Sequence, residues 1–459
     1  MSSNHYDVLI VGGGISGAAL LYSVAEYTDL KNIALVEKYD RLAPLNSNGS
    51  GNSQTLHCGD IETNYKAEKA AKVSKTANMI TEYCRLKGHL EEADNVGDKD
   101  KQIMFKCTKM AMGVGEEEIA FIKKRLEEFK PIFPNMRAIE QEEIEKLEPN
   151  LVFLKDGSRR PEPVFAMGSE GEYSAVNYGD LTESFVENAQ KVESTNTDVF
   201  LNTEVMRMRK IDGKFVIETN NPNQPEMTAN FVVVNAGAHS LLLAKKMGYG
   251  RELSVMPVAG SFYYADLSIL KSKVYMVQND KLPFAALHGD PDILKPGKMR
   301  LGPTALSMPK LERFRPGTYW DFAQSFAPDF AVAQALWKLF KESDIRNYVI
   351  KNILFEIPGY GKKLFLKDAQ KIIPSLTVDD LTYADNVGGV RPQVLSKITK
   401  KLELGEAKIK TKDGITFNMT PSPGATSCLG NAQADMEILV EYLGCGYDKK
   451  RLLSDLVKD

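Results

Sequence analysis

The chain has 459 residues, several times the ~100–200 of one domain, and its 43% hydrophobic content supplies a sizeable core, so two or three domains are expected. With 58 Lys and Arg against 61 Asp and Glu, the formal charge of −3 offers no general attraction for phosphate backbones and argues against a nucleic-acid partner. Five cysteines, none in a C-x-x-C pair, argue against a disulfide framework or a structural zinc site and point to a reducing compartment.

Tyr6-Asp7-Val8-Leu9-Ile10-Val11 reads as a strand buried on both faces of a parallel sheet. Gly12-Gly13-Gly14-Ile15-Ser16-Gly17 then fits G-x-G-x-x-G: Gly12 for a tight turn, Gly14 for close approach of a pyrophosphate, Gly17 for close helix–strand packing. The diphosphate is expected on the N-terminus of the following helix. Asn32 to Glu37 reads as the second strand, and Glu37, 20 residues after Gly17, is placed to accept hydrogen bonds from an adenosine ribose, which disfavours NADP. FAD and NAD share this half-site. The uncharged stretch Val8–Ala25 holds four glycines and follows Asp7, so neither a spanning helix nor a signal peptide is expected. A cytoplasmic protein is anticipated, with attachment to a membrane surface open.

Helical spacing of apolar residues predicts helices over Tyr65–Leu86, Glu116–Phe129 and Asp180–Val192. Val199–Arg207, Phe215–Thr219 and Phe231–Asn235 read as strands, the last running into Ala236-Gly237-Ala238, where small residues suit close approach to a ligand. Val255–Leu301 reads as a separate sheet, Asp321–Ile373 as helical, and Asn431–Leu443 as a closing helix after a glycine-bearing loop. The pattern predicts an α/β chain, α+β overall: a discontinuous Rossmann-like dinucleotide domain (1–90, 170–254 and 372–459) with an inserted mixed-sheet substrate domain (91–169 and 255–371).

The segments Ser47-Asn48-Gly49, Thr63-Asn64-Tyr65, Glu68-Lys69-Ala70, Phe121-Ile122-Lys123-Lys124-Arg125, Gly260-Ser261-Phe262, Lys273-Val274-Tyr275, Gly302-Pro303-Thr304-Ala305, Gly389-Val390-Arg391-Pro392-Gln393 and Ser422-Pro423-Gly424-Ala425-Thr426 join the glycine turn in one order and spacing. Together they resemble the D-amino-acid oxidase-like flavoproteins, and among them the malate:quinone oxidoreductases, over nearly the whole chain. The resemblance implies bound FAD, oxidation of (S)-malate to oxaloacetate by hydride transfer to flavin, electron delivery to a quinone, and peripheral association with the cytoplasmic face of the inner membrane. Two segments, Asn52 to Gly59 and Pro283 to His288, look more like L-2-hydroxyglutarate dehydrogenase, so another 2-hydroxy acid is the alternative substrate. The FAD contacts expected on this basis are Gly12, Gly14, Ile15, Ser16, Gly17, Glu37 and Lys38, then Ser53, Ala236 and Gly237, then Gly389 with Pro423, Gly424, Ala425 and Thr426.

Flavin oxidation of a 2-hydroxy acid needs a cation for the carboxylate and a base for the hydroxyl proton. Arg391, set between a glycine pair and Pro392, is the candidate cation, because a guanidinium grips a carboxylate bidentately. His57 and His288 are equal candidates for the base, imidazole having an unperturbed pKa of ~6.5. Lys109 is a candidate for malate's second carboxylate, and Tyr263 for a further substrate contact. The loop before the closing helix is expected to offer backbone N–H groups to the negative charge of a reduced flavin. Gln334–Lys371 carries a net charge of +4 together with Trp337, Phe340, Tyr348, Phe355, Tyr360 and Phe365. It reads either as an arm packed into the second domain or as a surface for an anionic bilayer, with Lys449-Lys450-Arg451 a weaker candidate.

Overall fold

The computed structural model describes residues 4–90, 102–278, 287–357, 359–403, 407–420 and 423–458. Most of the 283–288 segment, the 421–422 dipeptide and the expected boundary near 91 lie outside the described residues. The strand His5–Val11 sits in the middle of an eight-stranded sheet, with Asn32–Val36 and Glu226–Val234 parallel on its two sides. Asn196–Phe200 extends the sheet beyond the first of these and Ile415–Met419 beyond the second, both parallel. Such a sheet must be covered on both faces. The helices Ile15–Tyr27, Tyr178–Gln190 and Cys428–Leu443 cover one face, burying Leu20, Leu21, Phe185 and Met436 in a single apolar cluster. The hairpin Val205–Ile211 and Lys214–Thr219 helps cover the other with Phe215 and Ile217. Truncating one such buried leucine to alanine typically costs about 2–5 kcal/mol.

The segment expected to form one strand over Val199–Arg207 is two. The first ends at Phe200 and the second begins at Val205. Between them Asn202 takes φ +51° and donates to the Tyr39 carbonyl at 2.7 Å, while the Thr203 N–H reaches the Glu37 carbonyl at 2.8 Å. The chain turns here because those carbonyls, just past the second strand, have no sheet partner of their own. The closing helix likewise begins at Cys428, three residues before the expected Asn431.

A second eight-stranded sheet runs in the order Thr382–Tyr383, Tyr263–Asp266, Lys298–Gly302, His288–Pro291, Lys273–Met276, Lys109–Val114, Val164–Ser169, Arg137–Ile139. It is antiparallel except where Lys273–Met276 joins Lys109–Val114, so widely separated stretches of sequence share one sheet. Leu253–Ala259, expected at the start of that sheet, instead pairs with Val390–Ser396 in a four-stranded sheet, which sets Arg391 opposite Val258. Four helices, Thr318–Phe326, Phe330–Lys341, Ser343–Phe355 and Tyr360–Ile372, form the arm expected to be helical. Phe355, Phe365, Ala369 and Ile372 pack with the second sheet's apolar face.

Candidate active site

A cleft of about 660 Å³ opens beside the first strand–turn–helix unit, a size typical of sites that hold small molecules and cofactors, ~300–1,000 Å³. The three motif glycines do different work. Gly12 takes φ +113°, and a Cβ there would lie 2.4 Å from the Asn235 carbonyl oxygen; a Cβ on Gly17 would lie 2.0 Å from the Gly12 carbonyl oxygen. Those two glycines are required by the fold itself. Gly14 faces the cleft, and a Cβ there meets only Ser47 Oγ, at 3.2 Å. The adjacent Ile15 N–H, one of the unsatisfied donors of the helix start, reaches Ser47 Oγ at 2.9 Å. The pyrophosphate cradle is therefore built and open. Gly14→Val should leave the protein folded but colourless, because the added methyls fill the phosphate space; preserved circular dichroism with no flavin absorbance is the expected pair of results.

Glu37 closes the turn from the far side. Its Oε2 accepts from the Gly13 N–H at 2.7 Å and its Oε1 from the Tyr39 N–H at 3.0 Å, and burial pushes its pKa up against the downward pull of those bonds. Each oxygen keeps a second lone pair for a ribose hydroxyl. The structure adds a partner that the sequence did not signal. Glu312 roofs this end of the cleft, accepting from the Lys38 ammonium at 2.5 Å and the Tyr39 hydroxyl at 2.5 Å. Of the expected cofactor contacts, Gly12, Gly14, Ile15, Ser16, Glu37, Lys38, Ser53, Ala236, Gly237, Gly389, Pro423, Gly424, Ala425 and Thr426 all line the cleft, and Gly17 lies behind the turn. The residues present fit a dinucleotide.

The loop 45–53, whose Ser47 touches the glycine turn, also packs on the Gly388-Gly389 pair. Gly388 N–H reaches the Ser50 carbonyl at 2.7 Å, and the Asn46 amide spans Val390, donating to its carbonyl at 2.6 Å and accepting from its N–H at 3.0 Å. A Cβ on Gly389 would lie 2.4 Å from Asn46 Oδ1, so the pair lets two loops meet. This delivers Arg391 to the cleft wall. Burial presses its pKa down while the nearby Tyr275 and Tyr348 hydroxyls push it up, and a guanidinium keeps its proton throughout.

The two candidate histidines flank one ring. Tyr275 stacks on His288 with centroids 4.3 Å apart and planes 4° apart, and meets His57 edge to face at 6.4 Å. Its hydroxyl bonds Thr55 Oγ1 at 3.0 Å, and burial holds it firmly as a phenol. His57 lines the cleft; His288, 4% exposed, does not. The His57 Nδ1 is held by Glu62 Oε1 at 2.5 Å, and its backbone N–H by Thr426 Oγ1 at 3.2 Å, which ties the histidine loop to the start of the closing helix. The His288 Nδ1 lies against Asp290, which also takes Lys273 at 3.1 Å, and burial drives the His288 pKa down toward a neutral ring.

Two expected substrate contacts are engaged elsewhere. Lys109, 1% exposed, sits between Asp60 at 2.5 Å and Glu172 at 3.0 Å and does not line the cleft. Tyr263 stacks on Phe365 at 4.4 Å, on the arm side of its sheet. None of these three neighbours was visible from the sequence, because each lies tens of residues or more away along the chain. Lys109→Met should therefore act on stability rather than on substrate KM. Breaking a buried pair leaves Asp60 uncompensated at a cost of about 3–5 kcal/mol, read as a lower urea midpoint.

A profile of the malate:quinone oxidoreductase (Mqo) family matches residues 4–450. The chain is 49% identical over 461 residues to a probable malate:quinone oxidoreductase of Campylobacter jejuni subsp. jejuni, covering 100% of both chains. It is 46% identical to the malate:quinone oxidoreductase of Helicobacter pylori, covering 99% of this chain and 98% of that one. Human mitochondrial L-2-hydroxyglutarate dehydrogenase is more distant, 27% identical with 93% and 87% covered. Among solved structures, L-α-glycerophosphate oxidase of Mycoplasma pneumoniae with FAD bound superposes with a TM-score of 0.64 at 20% identity, covering 97% of each chain. The fold is thus the Rossmann-like one of FAD-dependent oxidoreductases, and the chain belongs to the malate:quinone oxidoreductase family.

Proposed function

We propose that this enzyme oxidises (S)-malate to oxaloacetate at bound FAD and passes the electrons to a quinone drawn from a membrane surface. The observation that carries the reading is that Arg391 and His57 both line the cleft, with buried Tyr275 edge to face with His57 and near Arg391. FAD supplies the two-electron acceptor for the hydride leaving C2 of the substrate. Arg391 binds the C1 carboxylate and fixes which face of C2 is presented. His57 Nε2 takes the hydroxyl proton, since Glu62 occupies Nδ1 and so sets the tautomer. Tyr275, held by Thr55 and by the His288 stack, orients the His57 ring. Backbone N–H groups of the Pro423–Thr426 turn, at the start of the Cys428–Leu443 helix, stabilise negative charge in the cleft.

The first eight-stranded sheet holds the dinucleotide, the four-stranded sheet brings Arg391 to the cleft wall, and Tyr275 of the second eight-stranded sheet backs His57. Among the described residues no helix is long and apolar enough to cross a membrane, in keeping with peripheral attachment, here assigned to the cytoplasmic face of the inner membrane. Anaerobic titration tests the reading. (S)-Malate should bleach the bound flavin, a soluble quinone analogue should restore its colour, and NAD should have no effect. The Asn52 to Gly59 loop, whose Asn52, Ser53, Thr55 and His57 line the cleft, supports L-2-hydroxyglutarate as the second reading. Bleaching by that acid and not by malate would replace the first assignment.

A further inference from the structure

Among the described residues, ten of the seventeen large apolar side chains left exposed fall between Phe314 and Tyr360, about a tenth of the chain. Both tryptophans of the protein are among them, Trp320 at 77% and Trp337 at 66% exposure. Scattered exposed apolar residues need no explanation; a concentration of this kind marks an interaction face. The helix Phe330–Lys341 shows why it is not an ordinary amphipathic arm. Val332 and Ala335 are buried toward Leu395, yet Phe330 and Trp337, two turns apart and so on one face, point outward. Ser343–Phe355 repeats the arrangement: Asn352 and Phe355 are buried, while Ile350, Ile353 and, just past the helix end, Ile357 form an outer stripe. The stripe is flanked by exposed Lys338, Lys341, Arg346, Lys363 and Lys367.

We infer that this face of the arm lies on an anionic bilayer, with Trp320, Phe330 and Trp337 entering the headgroup region and the basic residues meeting lipid phosphates. The inference rests on the proposed quinone reading and extends it by naming the surface. Apolar aromatics with a basic fringe are the composition of a helix that lies in the membrane interface, where tryptophan rings are at home. The location agrees with electron exit. Tyr348, on the same helix as Ile350 and Ile353, lies near Arg391, so the element that exposes the stripe stands behind the strand that carries Arg391.

Because the chain holds only two tryptophans, both exposed in this stretch, emission excited selectively at the indoles reports Trp320 and Trp337 alone. Holoenzyme mixed with phosphatidylglycerol–phosphatidylcholine vesicles should show blue-shifted emission and quenching by brominated lipid, reduced by high salt and weak on pure phosphatidylcholine. The triple variant Trp320→Ser, Phe330→Ser, Trp337→Ser changes only exposed side chains. It should co-sediment with vesicles on the order of tenfold less while keeping malate-driven flavin bleaching. Co-sedimentation with unchanged emission would move docking to another surface, the Lys449–Leu456 helix first. Absence of vesicle binding together with a dimer in analytical ultracentrifugation would make a second copy the occupant and overturn the proposal. Bleaching is read on the same samples: if it persists while docking fails, only this surface is wrong, and if malate fails to bleach, the proposed reaction is wrong.

Discussion

Arg391→Ala is expected to lower kcat/KM for malate by about two to three orders of magnitude while the protein stays yellow. Removing one partner of a desolvated charge pair costs ~2–5 kcal/mol, and each 1.4 kcal/mol is a factor of ten. The loss should fall on both kcat and KM, because a guanidinium that grips the substrate carboxylate would also aim C2. FAD retention is expected because the loop is held near the site by hydrogen bonds to the Gly388 and Val390 backbone, which the substitution leaves in place. Arg391→Lys should recover little, since a point charge cannot reproduce the planar fork. A wild-type KM in either variant would take Arg391 out of the carboxylate site.

What could be read in advance was whatever depended on neighbours in sequence. The glycine turn and Glu37 are local, because strand, turn, helix and second strand fall within about forty residues and their spacing carries the geometry. The place of Arg391 on the cleft wall was legible for the same reason, through the glycine pair before it. Glu312 was not: its value comes from Lys38 and Tyr39, more than 270 residues away. Lys109 was misplaced because its charge is balanced by Asp60 and Glu172, which nothing in the local pattern connects to it. The break after Phe200 escaped notice because both halves have strand-like composition, and only the hydrogen bonds to Glu37 and Tyr39 turn the chain. The aromatic arm was half legible. Its composition offered a packed arm or a bilayer surface, and the structure buries Phe355 and Phe365 while exposing Trp337, Phe340 and Tyr360.

The choice between histidines turns on a paired experiment. His57→Gln should lower kcat by about 10²–10⁴-fold, the range for loss of a general base, with substrate affinity little changed. Glutamine keeps a polar group near Glu62 but cannot accept and hold the proton. Added imidazole should restore part of the rate, because the cleft beside His57 is open to small molecules. Glu62→Gln should give a smaller loss, since it weakens the bond that sets the tautomer without removing the base. His288→Asn should behave differently. That ring is buried, stacked on Tyr275 and turned toward Asp290, so its removal leaves a gap beside Tyr275 and takes one partner from Asp290, which keeps Lys273. Stability should drop measurably and kcat by no more than about tenfold, the small effect arriving through a less firmly held Tyr275. Imidazole should not rescue it. The opposite pattern, a rescued His288 variant and a nearly active His57 variant, would assign the proton to His288 and require the substrate to reach past Tyr275.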